Sequence, residues 1–452
     1  MATGDRRTHG THGTHGTRRS AFALVPLTGA ALAACSAPEA GTRAESSRQP
    51  VTIEFWTPAQ DPPQQAVQEE VHREFRARYP HITVTTDQLP GWDQLTEKLA
   101  VTVAGGTQPN ATLLPDNNLR LLIYQGQLTA LDDLIKADRY DVKVLDKGMR
   151  DRGTAEGKLF ILPWAAAILA LYFNQELFQR AGVPLPDPAR AMTWEQFVDA
   201  ALKVRRLGED VWGFRVGGNL TTPNWDAVKE WLPWCWSNGN DYFDATETRP
   251  LFGDDKGVAS VQLFTDLMRK HQVAPGPGVT VPRITTGQLG MWVSQSGDIA
   301  TLQRDAPSVR FGASLIPTGP GGRASYGVQG GKFIAIARGA KHLEDTWRYL
   351  RWSTEESVNL RLVAPAFQDP VHASNRLKAP YAEQPAYKAF VEQFKTARAR
   401  PGNPAYRLSE EGTAEQLQAA YKGLRSPADA VKTAAEQAAA VIQQNMHLNR
   451  LQ

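Results

Sequence analysis

From residue 51 the chain alternates between two hydrophobic periods, and this alternation constrains the fold more than any other feature. Val51-Thr52-Ile53-Glu54-Phe55-Trp56 alternates in the manner of a half-buried strand and stops at Thr57-Pro58. Residues 64–79 switch to helical spacing, with Ala66, Val67, Val71 and Phe75 as the apolar set, and end before Pro80. Ile82-Thr83-Val84-Thr85-Thr86 predicts a second strand, and 92–104 a second helix closed by Gly105-Gly106. Ala111-Thr112-Leu113-Leu114 predicts a third strand, ending at Pro115-Asp116-Asn117-Asn118. Strand, helix, strand, helix, strand implies crossover helices on a parallel sheet, which is the α/β class.

Further along, 158–164 leads into the almost continuous apolar run Ile168-Leu169-Ala170-Leu171-Tyr172-Phe173-Asn174, as a strand buried on both faces requires. Thr193-Trp194-Glu195-Gln196 opens a helix with a capping box. Segments 225–236, 255–271 and 344–352 predict helices, and Phe333-Ile334-Ala335-Ile336-Ala337 another buried strand. No repeat of 20–50 residues is present, which argues against a solenoid or propeller.

The chain has 452 residues, a prior of two to three domains at about 150 residues each. With 42% apolar and 21% charged residues, wholesale disorder is excluded. The net charge of +3 comes from the first 34 residues, where Arg6, Arg7, Arg18 and Arg19 outnumber Asp5. Beyond them 46 basic residues face 46 acidic ones, so nothing in the charge balance points to nucleic acid. Two cysteines, Cys35 and Cys235, allow neither a disulfide framework nor a Cys-rich zinc site.

The N-terminus reads as an address. Residues 1–19 are polar and basic, with a Thr-His-Gly triplet repeated over 8–16, read as low complexity rather than as a metal site. An apolar stretch over 21–32 follows, too short for a stable membrane span. Leu32-Ala33-Ala34-Cys35 resembles a bacterial lipobox, which implies lipidation of Cys35 as the first mature residue. Arg18-Arg19-Ser20-Ala21-Phe22 is similar to a loose twin-arginine signal, with ordinary Sec export equally open. Residues 1–34 are thus expected to be a signal peptide and 35–50 a flexible tether.

Six stretches in order resemble the family-one extracellular solute-binding proteins of ABC importers, the group of maltose- and glycerol-phosphate-binding proteins. They are Ile53-Glu54-Phe55-Trp56, residues 157–163, residues 171–178, residues 193–197, Gly330-Gly331-Lys332-Phe333-Ile334-Ala335-Ile336, and Thr346-Trp347-Arg348-Tyr349-Leu350. The resemblance implies a two-lobed periplasmic-binding-protein-like fold, each lobe a parallel-rich sheet flanked by helices, with a ligand cleft between the lobes. Lobe 1 is expected to comprise 51–163 and 331–363, and lobe 2 164–330 and 364–452. Crossings are expected near 163–167, 329–331 and 364–370. Open parallel sheets bind ligands beyond the carboxyl ends of their strands, and pockets favour domain interfaces, so the cleft is the expected site.

The implied function is extracytoplasmic binding of a mono- or oligosaccharide and its delivery by lobe closure to the permease subunits of an ABC transporter. No catalysis, cofactor, metal or nucleic acid is expected; the protein is expected to be a monomer that meets the membrane through its lipid alone. Two departures from the family pattern bear on the ligand: Met291 is followed by Trp292 and Gly297 by Asp298, and Ala165-Ala166-Ala167 offers only methyls.

A sugar presents an apolar face and a rim of hydroxyls, which calls for an aromatic platform edged by planar hydrogen-bonding groups. Twelve tryptophans supply candidates: Trp56 after the first strand, Trp164 at the first crossing, Trp231 and Trp234 on one helix face, and Trp292. Each is equally compatible with a place in the core. Asp116 and Asn117 after the third strand, Asn238, and Gln329, Gly330 and Gly331 at the second crossing complete the polar set. Asp116 and Asn117 also suit a turn, and the glycines a positive-φ bend. Tyr406 falls where relatives place a late aromatic contact. Cys235 lies in an apolar run and reads as a buried small hydrophobe. No Gly-x4-Gly-Lys-Ser/Thr, His-Glu-x-x-His or Gly-x-Ser-x-Gly occurs. The alternatives are a secreted lipoprotein glycosidase using two carboxylates, or the same fold binding glycerol-phosphate, a polyol or a peptide.

Overall fold

The computed structural model describes residues 49–217, 225–276 and 278–445. The expected signal peptide, Cys35 and nearly all of the tether lie outside the described residues.

Ten strands form the two main sheets: β1 Val51–Pro58, β2 Ile82–Leu89, β3 Ala111–Pro115, β4 Leu162–Ile168, β5 Ala170–Asn174, β6 Trp212–Arg215, β7 Leu289–Ser294, β8 Phe311–Ser314, β9 Gly327–Ile336 and β10 Ala397–Ala399. The first sheet runs β10-β9-β3-β1-β2, with β4 on the other edge of β9. β1 is parallel to both β2 and β3, as the alternating helices require. Helix Pro62–Arg78 opens on two prolines, at positions whose N–H groups have no intrahelical acceptor. Helix Trp92–Gly105 stops at Gly106, whose φ of 71° is left-handed.

β9 returns from more than two hundred residues away and pairs antiparallel with β3 on one side and β4 on the other. Gly331 permits that close approach, because a Cβ there would collide with the Ala165 carbonyl of β4 and with Met149. The two glycines therefore lie within a strand and not in a bend.

The second sheet runs β8-β5-β7-β6. Its β5–β8 and β5–β7 pairs are antiparallel and only β6–β7 is parallel, where a parallel-rich sheet was expected. The continuous apolar run accounts for the difference. It is two strands, β4 ending in the first sheet and β5 beginning in the second, with Leu169 between them. Leu171 and Phe173 point into one core and Ala170 and Tyr172 into another, so both faces of β5 are buried. The capping box at Thr193 forms as its sequence predicts: Gln196 N donates to Thr193 Oγ1 and Thr193 N to Gln196 Oε1.

Candidate functional site

Between the sheets lies a cavity of about 410 Å³. Its first wall is the carboxyl end of the β2-β1-β3 sheet: the loop and helix start Gly91-Trp92-Asp93-Gln94 and the β3 end Pro115-Asp116-Asn117. Ala165, Ala166 and Ala167 of β4 with Gly330, Gly331 and Lys332 of β9 form the floor. The facing wall brings Lys229, the β7 exit Gln295-Ser296-Gly297, and Gln368. Side chains that sheet topology places at strand ends are thus gathered from both lobes, as an open α/β sheet directs.

Beneath the cavity lies a buried ionic chain. Arg152 Nε donates to Asp116 Oδ1 at 2.8 Å, Arg400 Nε to Asp116 Oδ2 at 3.0 Å, and Arg400 Nη1 to Glu410 Oε1 at 3.3 Å. None of these four side chains is more than 8% exposed. Burial pushes the Asp116 carboxyl up, but the two guanidiniums outweigh it and hold the group below the usual carboxylate range. Glu410 is pushed up by burial, which its pairing with Arg400 only partly offsets.

Lys332 stands apart from this chain. Its ammonium lies 5.6 Å from the Trp92 ring centroid and 5.9 Å from that of Trp164, with no hydrogen-bond or ion-pair partner among the described residues. Burial pulls it down to about 8, with Asp61 opposing the shift. Two buried oxygens of the lining, Asn117 Oδ1 and Gln368 Oε1, also have no hydrogen-bond partner among the described residues.

Of the residues singled out from sequence, Asp116, Asn117, Gly330 and Gly331 line the cavity. The tryptophans do not, and the aromatic-platform expectation is corrected at each of them. Trp231 is fully buried in the second lobe, donating to Ser260 Oγ at 2.8 Å and packing edge-on against Phe252. Trp234 packs among Phe197, Phe214 and Phe264. Trp292 stacks on Tyr172 at 5.1 Å in a third core. Trp56 and Trp164 belong to the core of the first lobe, Trp56 donating to Glu54 Oε1 at 2.6 Å. The reason is common to all five: these elements are covered on both faces, so a large apolar ring finds a closed core before it reaches the cleft.

Three polar or late-aromatic candidates are likewise placed elsewhere. Asn238 closes a helix end, accepting from Gly321 N at 3.0 Å and donating to Lys256 O at 3.0 Å. Gln329 lies beside the site and donates to Asp146 Oδ1 at 2.8 Å. Tyr406 is buried against Tyr242 with ring centroids 5.2 Å apart.

The aromatic that does border the cavity is Trp92, which sequence reasoning passed over, together with Lys332, Lys229, Gln295, Gln368 and Arg400. Trp92 had a usable signal, since it opens a helix directly after a strand and a Pro-Gly, which is where a parallel sheet puts its ligand loops. Lys332 follows the Gly330-Gly331 pair directly. The others had none.

Two α/β lobes enclosing a ligand-sized cavity beyond the strand ends define a solute-binding fold. Residues 70–389 match the family model described as bacterial extracellular solute-binding protein, and the chain belongs to that family. A binding protein of Brucella abortus is 24% identical over 387 residues, covering 83% of this chain and 89% of its own. Among solved structures, an ABC transporter solute-binding protein of Thermotoga lettingae bound to α-D-tagatose has a TM-score of 0.76 at 20% identity, with 86% of this chain and 99% of that one covered. UgpB of Mycobacterium tuberculosis in complex with glycerophosphocholine has a TM-score of 0.76 at 19% identity, covering 88% and 99%. These two similarities establish the fold.

Proposed function

We propose that this protein is the extracytoplasmic receptor of an ABC importer for a hydroxyl-rich small molecule of the carbohydrate class, and that it performs no chemistry on its ligand. The observation that carries the reading is the pair Asn117 Oδ1 and Gln368 Oε1, buried acceptors on opposite walls of the cavity with no donor among the described residues. An unsatisfied buried acceptor costs about 1–3 kcal/mol, which ligand hydroxyls would relieve. Because such a ligand bridges both walls, it binds the closed state better than the open one and shifts the population toward closure.

The hinge of that movement is proposed at Leu169 and Val328, where Leu169 N donates to Val328 O at 3.3 Å between the sheets. A hinge there would put the lobe boundaries a few residues from 163/164 and 330/331, a reading supported by β4 remaining in the first sheet to Ile168 and β9 joining it at Gly327. The permease would read the closed outer surface of a monomer tethered through lipid on Cys35. The glycosidase alternative finds little support, since the acids of the lining are Asp93 and Asp116, and Asp116 is held by two arginines.

The test is calorimetry and solution scattering with a panel of mono- and oligosaccharides, polyols and their charged derivatives, with product analysis. Saturable binding, a smaller radius of gyration and intact ligand are expected. Cleavage of any oligosaccharide, or binding without closure, would overturn the receptor reading. Cys35→Ala should move the protein out of the membrane fraction, and a mature variant that stays there would refute the anchor.

A further inference from the structure

We propose that Arg120 and Glu247, neither of which borders the ligand cavity, are positioning residues that clamp the Gly402 peptide between the lobes and so hold the cavity in its closed, ligand-competent form. This rests on the receptor reading above and adds to it the part of the chain that sets the lobe angle.

The clamp acts on a connection beyond the three crossings expected from sequence. Strand β10, Ala397–Ala399, pairs with β9 in the first sheet, while helix Tyr406–Tyr421 packs in the core of the second lobe. Residues 400–405 therefore form a strap that carries the chain from one lobe to the other.

Each lobe grips the strap. From the first, Arg152 Nη1 donates to the carbonyls of Arg400 and Pro401 at 2.8 Å, and Arg120 Nε to that of Gly402 at 2.9 Å. Arg120 Nη1 also donates to Thr154 O of its own lobe. From the second, Glu247 Oε1 accepts from Gly402 N at 2.9 Å and Oε2 from Asn403 N at 2.5 Å. The Glu247 carbonyl accepts from Asn403 Nδ2 at 2.7 Å. The C=O of Gly402 is thus held by one lobe and its N–H by the other. A Cβ at this position would lie 3.2 Å from Arg120 Nη2 and 3.5 Å from Glu247 Oε2, so glycine is what lets both side chains close on the peptide. Glu247 itself has a left-handed φ of 53°, uncommon for a residue with a side chain.

Two features connect the clamp to the ligand. Arg120 stands one turn from Asn117 on helix Asp116–Tyr124, so the side chain that grips Gly402 shares a rigid element with the cavity wall. Arg400, at the head of the strap, pairs with Asp116 at the start of that same helix. The clamp is formed while the cavity is enclosed and Asp61 of the first lobe lies 3.6 Å from Arg304 of the second, so its bonds belong to the closed arrangement. Burial and Arg152 pull the Arg120 guanidinium down, and Glu247 of the other lobe opposes them. Beside the clamp a second cavity of about 350 Å³, lined by Arg120, Thr154, Glu247 and Gly402 among others, gives the strap room to shift once one grip is lost. Apparent affinity falls with the population of the binding-competent state, so residues that never touch the ligand can set it.

The test uses Arg120→Met, Glu247→Gln, the double variant and Arg120→Lys, with glucose and maltose as calorimetric probes. Each of Arg120→Met and Glu247→Gln should weaken the sugar that wild type binds by about fivefold or more. Their ligand-free radius of gyration should rise, and at saturation return to the wild-type value. Because both residues act through one peptide, the double variant should lose little more than the worse single one. Arg120→Lys keeps a charged donor and should recover most of the affinity. A lower melting temperature with unchanged affinity and unchanged ligand-free radius would reduce the pair to ordinary packing and overturn the inference, as would fully additive losses. Should Arg120→Met fail to fold, Glu247→Gln, a milder change in a half-buried loop residue, decides the matter. If neither sugar binds wild type, the receptor reading loses its support from these probes, while the ligand-free radius of the variants still decides the clamp.

Discussion

Arg400 Nε lies 3.0 Å from Asp116 Oδ2, and this buried pair ties the end of strand β3 in one lobe to helix Tyr406–Tyr421 in the other through Glu410. Asp116 is thus a structural junction as well as part of the cavity wall. Asp116→Asn removes the carboxylate that Arg152 and Arg400 share, leaving Glu410 as the remaining acid on Arg400. Breaking a buried pair from one side costs about 3–5 kcal/mol, so urea unfolding should show a loss of that order with or without ligand. A loss below about 1 kcal/mol would mean that water enters and screens the junction.

Tryptophan substitutions should divide into two classes. Trp231→Ala and Trp234→Ala remove fully buried rings and should cost about 3–5 kcal/mol of stability. Trp92→Ala should leave the melting temperature nearly unchanged and weaken ligand binding about tenfold or more, by analogy with other stacking platforms. Melting and calorimetry on the same three variants check this, and reversed classes would move the platform back to the helix Trp225–Ser237.

Gly331→Ala places a methyl against the Ala165 carbonyl and Met149. Overpacking of this kind typically costs about 1–3 kcal/mol, and β4 and β9 would have to separate to absorb it. Thermal unfolding should report that loss. Since both strands floor the cavity, affinity should fall as well; a variant that loses neither would show that the strand approach is not tight.

Asp369 gives a pH dependence with a definite sign. Burial pushes its carboxyl up to about 6 from 3.8, although Tyr387 Oη donates to it at 2.7 Å and Ser296 and Arg376 oppose the shift. The folded state therefore holds a proton that the unfolded state releases. Its contribution to stability is fully present below about pH 4 and is lost as pH rises through about 6, a difference of about 3 kcal/mol. Asp369→Asn keeps an acceptor for Tyr387 and cannot ionise. The variant should match wild type near pH 4 and exceed it in stability at pH 7.5, as denaturant titrations at the two pH values would show. Equal stability at both would mean that Asp369 titrates normally.

The local pattern was legible where one segment contains the whole reason for its structure. Strand β1, helix Pro62–Arg78, strand β2, helix Trp92–Gly105 and strand β3 form in that order because their periods and their stops at Pro80, Gly105-Gly106 and Pro115 are written within a few residues of each element. The Thr193 capping box is legible for the same reason, since donor and acceptor are three residues apart. The order of six short stretches was likewise sufficient to indicate the family.

The site depended on partners far apart in the chain. Asp116 meets Arg400 across 284 residues, and Lys332 meets Trp92 from a strand far along the chain. Whether a tryptophan packs in a core or borders a cleft depends on what covers its second face, and hydrophobicity is the same in both cases. Lys332 shows the same limit from the polar side. Its sequence neighbours Gly331 and Phe333 do not reveal that it has no ion-pair partner among the described residues. Only the packing of β9 between β3 and β4 decides that, because a charge is paired or left alone by its neighbours in space.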